Sequence, residues 1–157
     1  YWYATIGYDM QMTELQAAFA VAQLNRLEAG NALRKVRWSQ LNEFFQPHQD
    51  WFILPKAGSP KSDPSWFGFP LTVKEGAPFS RDDMAVYLIE NKIEIRPMFT
   101  GFIGEHPAYR QYRAYGLDRP VNAIRTGHAS FFLPAWGMTA AEMDYQLSVL
   151  ESFLYQF

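Results

Sequence analysis

Apolar residues recur at helical spacing near both ends of the chain and fall into short alternating or continuous runs between them. Thr13, with Gln16 three residues later, forms a capping box, and the stretch that follows (Leu15, Ala17, Ala18, Phe19, Val21, Ala22, Leu24, Leu27) is apolar nearly all round as far as Gly30. Such a helix is a buried one. A domain this small rarely covers every side of it, so the pattern implies a partner chain or a further domain. A second helix is predicted from about Asn31 to Phe45, with Leu33, Val36, Leu41, Phe44 and Phe45 inward and Pro47 ending it.

Trp51 to Pro55 is a short extended segment, and 56–64 is a Gly/Pro/Ser loop. Ser65 to Val73 reads as a strand in which Pro70 requires an edge or a bulge. Ser80 and Asp83 start a helix with Met84, Tyr87 and Leu88 inward, ended by Asn91-Lys92. Ile93 to Phe99 is a second strand, in which Ile93 and Ile95 alternate with Glu94 and Arg96 and so face the other way. After a Gly- and aromatic-rich loop over 100–115 come a short helix from Pro120 to about Thr126 and a third strand, His128 to Leu133. Thr139 and Glu142 cap a last helix carrying Met143, Leu147, Leu150 and Leu154. The expected class is α/β: a small, mainly antiparallel sheet of about three strands with helices on one face, preceded by long helices.

At 157 residues and 48% hydrophobic, the chain fits one domain with a real core. Its 14 basic and 16 acidic residues are spread along the sequence, so nucleic acid is not an expected partner. No stretch approaches the roughly 18 apolar residues of a membrane span, and the absence of cysteine removes disulfides, thiolate metal sites and a Cys nucleophile. A cytoplasmic location is the expectation. The chain opens without Met on strand-like Tyr1-Trp2-Tyr3, from which a missing upstream segment is expected.

The three histidines, His48, His106 and His128, have no metal-ligand spacing, and no hydrolase, phosphate-loop or dinucleotide motif occurs, so no catalytic or metal residue is assigned. Asp82 and Asp83 suit the positive end of a helix dipole better than acid–base work. Arg96 on the polar face of a central strand is placed to fork onto phosphate or carboxylate oxygens, or to pair with Glu94 at the surface. His128 reads as a turn residue or a ligand contact, and His106 similarly.

The run Ile6-Gly7-Tyr8-Asp9-Met10-Gln11-Met12-Thr13-Glu14-Leu15-Gln16-Ala17-Ala18 resembles the segment I-G-Y-N-x-R-M-T-E-L-Q-A-A that follows the cofactor lysine in the DegT/StrS family of sugar aminotransferases. Ser65 to Pro70, Lys92 to Gly101 and His106 to Tyr109 resemble motifs of its pyridoxamine-phosphate-dependent nucleotide-sugar 3-dehydratases. The resemblance runs through the whole chain in the family's order.

It implies the aspartate-aminotransferase fold, fold type I of the pyridoxal-phosphate enzymes, with residues 1–157 as a single C-terminal domain. Within it, 1–47 would be the interdomain and dimer segment and 48–157 the small α/β domain, the N-terminal cofactor-binding domain being absent. The implied chemistry acts on a nucleotide-linked 4-keto-6-deoxy sugar, ending in transamination or in loss of the 3-hydroxyl. The Lys or His that decides between them would lie before Tyr1. The implied cofactor is pyridoxamine or pyridoxal 5'-phosphate in the full-length protein and none for this chain alone, and the implied assembly is a homodimer.

Asp9 and Gln11 stand where the family's cofactor-phosphate Asn and Arg stand. A carboxylate there repels a phosphate unless it is neutralised. Tyr8, Arg96, Phe99, Phe102 and His106 are the implied substrate-facing residues, and Glu105 replaces a basic residue of the dehydratases' loop G-N-x-x-R-Q-P. A non-catalytic binding or assembly module derived from the family is the alternative, with Trp51, Trp66, Phe102, Tyr109 and Trp136 as stacking surfaces.

Overall fold

Thr13 closes a capping box in the computed structural model: its hydroxyl accepts from the Gln16 amide at 3.3 Å, and its own amide donates to Gln16 Oε1 at 2.9 Å. The structure describes every residue except Tyr1, Tyr3, Asp9, Ala57, Gly58, Pro60 and 113–119. From that cap one helix, α1, runs from Glu14 to Phe45, 32 residues and about 48 Å long. The two helices expected from the sequence are therefore one. Gly30 does not end the first, because its missing side chain makes room for a ring: a Cβ there would lie 2.8 Å from Trp136 Cη2. The helix stops at Phe45, where a 3₁₀ turn, Gln46–His48, takes over around Pro47.

Four strands follow among the described residues, one more than expected: β1 (Phe52–Ile53), β2 (Gly68–Val73), β3 (Arg96–Pro97) and β4 (Ser130–Pro134). They form a fully antiparallel sheet in the order β1-β2-β4-β3. The added strand is the short extended segment after Trp51, which pairs only with Thr72 and Val73. Pro70 pairs with Phe132 of β4 alone, beyond the reach of β1, and its missing N–H thus falls on a stretch of β2 that is an edge on one side. Arg96 lies on an edge strand, not a central one, because β3 pairs with β4 and with nothing beyond it.

Three further α-helices lie among the described residues: α2 (Arg81–Glu90), α3 (Val121–Ala129) and α4 (Ala140–Leu154). His128 lies in the last turn of α3, so the third strand begins two residues later than its apolar run indicated. The expected loop over 100–115 holds two 3₁₀ turns, Ile103–Glu105 and Pro107–Tyr112. The second capping box forms as read, Glu142 Oε2 accepting from the Thr139 amide at 2.7 Å, and Ser80 with Asp83 makes a third.

One face of the sheet presents Phe69, Leu71, Phe131 and Leu133, all fully buried, to Trp38, Leu41 and Phe45 of α1, Met84 and Leu88 of α2 and Met143 and Leu150 of α4. Phe45 stacks on Phe69 with ring centroids 5.8 Å apart, and Trp38 stacks on Trp66 at 5.5 Å. Each such side chain contributes about 1.5–3 kcal/mol by leaving water. The opposite face carries Pro70, Thr72 and Phe132, against which α3 packs and beside which Phe99 and Gly101 lie.

Only the second half of α1 joins this core. Over residues 14–29 every side chain but Ala17 is exposed, with Leu15 at 82%, Phe19 at 68% and Leu24 at 64%. The helix expected to be buried is bare on this chain, among the described residues. An isolated helix of such length is marginal in water, so a covering surface has much to stabilise.

Hydrogen bonds from Ser80 hold the Asp83 carboxyl below its ordinary value of 3.8, the backbone bond being the larger cause, and those from Thr139 hold Glu142 below 4.5 in the same way. A carboxylate whose value is depressed by folding stabilises the fold above its ordinary value and stops doing so as pH falls through the depressed one. Thermal midpoints measured from pH 6 down to about pH 2 are therefore expected to fall below pH 4.5, and Glu142→Gln is expected to flatten part of that fall. Thr139→Ala is expected to cost about 1 kcal/mol in denaturant unfolding at neutral pH.

Candidate functional site

The sheet face turned away from the core carries a run of hollows. The first, of about 230 Å³, is lined by Arg34 of α1, Phe67, Glu94 and Arg96, Phe132 of β4, and Trp136. A second, of about 480 Å³ and mostly apolar, shares Phe67, Gly68 and Phe132 with it and adds Trp66, Pro70, Met98 and Phe99. A third, of about 280 Å³, shares Phe99 and adds Thr100, Phe102, Glu105, His106 and His128. Through these shared walls a basic end, an aromatic middle and a histidine-bearing end lie along one groove.

Local sequence explains each part. Phe132 belongs to the residues of β4 that alternate away from the core, and Phe67 meets its ring edge-on at 5.8 Å. Phe99 meets Phe132 from the other side, also edge-on, at 6.2 Å. Its backbone has φ +50, a conformation unusual for an aromatic residue, which turns the chain sharply after β3. Two residues on, Gly101 has φ +65 and lies so close to α3 that a Cβ would fall 2.6 Å from Gly127 Cα. Two glycines in backbone contact thus dock the loop on α3.

At the histidine end, His106 Nε2 lies 3.1 Å from the Thr100 carbonyl oxygen, and His128 Nε2 lies 3.2 Å from Glu105 Oε2. The Glu105–His128 contact joins the loop to α3 a second time and becomes an ion pair when the imidazole is protonated. Here the acidic residue at a position basic in the dehydratase loop has a local partner. At the other end, Arg96 Nε and Nη2 both donate to Glu94 Oε1 at 3.3 Å, so the surface pairing foreseen for Arg96 occurs while its guanidinium still borders the first hollow.

Of the residues picked out from sequence, Arg96, Phe99, Phe102 and His106 come together along the groove. Tyr8 and Gln11 do not: both are exposed on the segment before α1, away from its walls. Asp9 lies outside the described residues. Arg34 was missed, and Trp136, named from sequence only as a stacking surface of a binding module, lines the first hollow with it. Arg34 stands one helical turn after Gly30, its Cζ 4.8 Å from the Trp136 ring centroid, and a single continuous helix would have put the glycine and the arginine on one face. Among the described residues no group of three or more His, Asp or Glu side chains is arranged to hold a metal ion. Among the described residues no helix is long and apolar enough to cross a membrane.

Residues 1–151 match the family model described as the DegT/DnrJ/EryC1/StrS aminotransferase family. Over 98% of its length the chain is 34% identical to the lipopolysaccharide biosynthesis protein RfbH of Salmonella typhimurium, and again over 98% it is 33% identical to a dTDP-4-dehydro-2,6-dideoxy-D-glucose 3-dehydratase of Saccharopolyspora spinosa. It spans 35% and 33% of those two proteins, about a third of each. Its structure matches that of an E. coli GDP-4-keto-6-deoxy-D-mannose-3-dehydratase with bound hydrated PLP at TM-score 0.76 and 23% identity, over 92% of this chain and 36% of the other. At that identity the likeness establishes the fold, a small α/β domain of the fold-type-I class.

Gly101→Ala is expected to cost about 1–3 kcal/mol, from strained backbone and the collision with Gly127, and to undock the loop from α3. Faster proteolytic cleavage within 102–112, at a protease dose that leaves the parent intact, is the accompanying sign.

Proposed function

This chain belongs to the DegT/DnrJ/EryC1/StrS aminotransferase family, and from that premise we propose that it is the C-terminal domain of a pyridoxal- or pyridoxamine-phosphate enzyme acting on nucleotide-linked 4-keto-6-deoxy sugars. The relatives it resembles over 98% of its length include a 3-dehydratase of such a sugar and a lipopolysaccharide biosynthesis protein, which supports a 3-dehydratase or aminotransferase of O-antigen or deoxysugar synthesis. In this reading 1–47 forms the interdomain and dimer segment and 48–157 the small domain, and a cofactor-binding domain lies upstream.

The observation that carries the proposal is the bare apolar half of α1, headed by the family's specific motif. A helix presenting Leu15, Phe19, Leu24 and Leu27 to water on one chain is built to lie against another polypeptide, and a homodimer supplies one. The cofactor, where bound, supplies the electron sink for breaking bonds beside the sugar's carbonyl carbon. This chain contributes walls: Arg96 for oxyanions, Phe99 and Phe102 for flat apolar surfaces and His106 for a polar contact, with Tyr8 as a further substrate-facing residue and the sequence positions of Asp9 and Gln11 matching those that hold the cofactor phosphate in the family. Since Gln11 brings no positive charge and Asp9 is acidic, the phosphate is held mainly by residues outside this chain.

Two measurements test this. The chain alone is expected to leave the absorbance spectrum of pyridoxal phosphate unchanged and to turn over no 4-keto sugar, while the protein encoded by the whole gene does both; tight cofactor binding by the chain alone contradicts the proposal. Light scattering is expected to find the chain self-associated at high concentration, and Phe19→Lys combined with Leu24→Lys to return it to a monomer; a parent chain that stays monomeric removes the role assigned to α1.

A further inference from the structure

Arg34 borders the 230 Å³ hollow opposite Arg96 without having been assigned any part in it. Its Cζ lies over the Trp136 ring, 4.8 Å from the centroid, and its Nε is buried with no hydrogen-bond partner. A buried, unpaired donor on a cation is an expensive arrangement unless an acceptor arrives. The cation–π contact with Trp136 restricts the side chain's rotamers before any ligand binds. Gly30, one turn earlier, admits the Trp136 ring and so sets where Arg34 rests.

Across the hollow, Arg96 is two-thirds exposed and its bonds to Glu94 are long, both at 3.3 Å. Charge-assisted bonds of full strength are shorter, near 2.7–2.9 Å. Its fork is therefore loosely held by a carboxylate that itself lines the hollow. An incoming anion gains both guanidinium groups if it displaces Glu94.

We propose that Arg34 and Arg96 form a two-sided oxyanion clamp, with Glu94 as an internal occupant that keeps Arg96 neutralised until a ligand exchanges with it. The clamp joins α1 to the sheet edge, so a bound anion ties the helix that carries the apolar arm to the domain's groove. That the natural ligand is the phosphoryl group of a nucleotide-linked sugar rests on the function proposed above; the clamp itself rests only on the geometry of this chain.

Calorimetric titration of the chain with inorganic pyrophosphate at low ionic strength tests it. Arg34→Gln and Arg96→Gln are each expected to weaken binding by about tenfold, the loss of one charge-assisted contact. Arg34→Lys is expected to recover only part of the loss, since a point charge neither forks nor stacks flat. Glu94→Gln is expected to tighten binding by roughly threefold, because the competing carboxylate is gone. That last variant keeps the test decisive if an arginine variant fails to fold, which a thermal melt reveals. Glutarate in place of pyrophosphate separates the two oxyanion sources: whichever binds tighter names the group, and either keeps the clamp. Equal pyrophosphate affinity in the parent, Arg34→Gln and Glu94→Gln chains overturns the proposal, as does no binding of either anion to the parent and Glu94→Gln chains. Anion binding by the chain alongside a whole protein inert toward 4-keto sugars removes the functional reading and leaves the clamp, and the converse pair of results does the opposite.

Discussion

Trp38, Leu41 and Phe45 occupy the last turns of α1 and lock into Phe69, Phe52 and Trp66, and the position of the rest of α1, Arg34 included, follows from that anchorage. The packing fixes the helix axis against the sheet. Because the helix is continuous, it then carries Arg34 to the rim of the first hollow and projects residues 14–29 beyond the domain. A break at Gly30 would uncouple the two halves. The residue that looks like a helix terminator is instead where Trp136 enters, and helix and loop become one wall.

The sheet face away from the core is shaped by one loop. Phe99 and Gly101 hold left-handed backbone within three residues, and the loop they shape is docked on α3 through glycine backbone contact and through Glu105 and His128. Strain of this kind persists only where surrounding contacts overdetermine it, and here it presents Phe99 between the aromatic and the histidine-bearing hollows. On the core face the rings pack at ordinary separations and the strands alternate regularly.

Much was legible from the chain: two capping boxes and the helix start at Ser80, the alternation that sends Ile93 and Ile95 inward and Arg96 outward, the end of α2 at Asn91-Lys92, and the family, carried by the motif around Thr13. The groove was half legible. Arg96, Phe99, Phe102 and His106 sit within one short stretch of sequence, so a motif could gather them. Arg34 and Trp136 are separated by about a hundred residues and meet only where the Trp136 ring packs against Gly30 of α1.

What the sequence determined by itself is whatever depends on near neighbours along the chain: caps, periodicity, the turn chemistry of glycine and proline, and the apolar circumference of α1. Tertiary structure alone decided that β3 is an edge strand, that Gly30 lies inside a helix, that His128 closes a helix and faces Glu105, and that two distant arginines border one hollow. Propensity and spacing act over one or two turns, whereas strand order and ring packing are settled by which surfaces exclude water together.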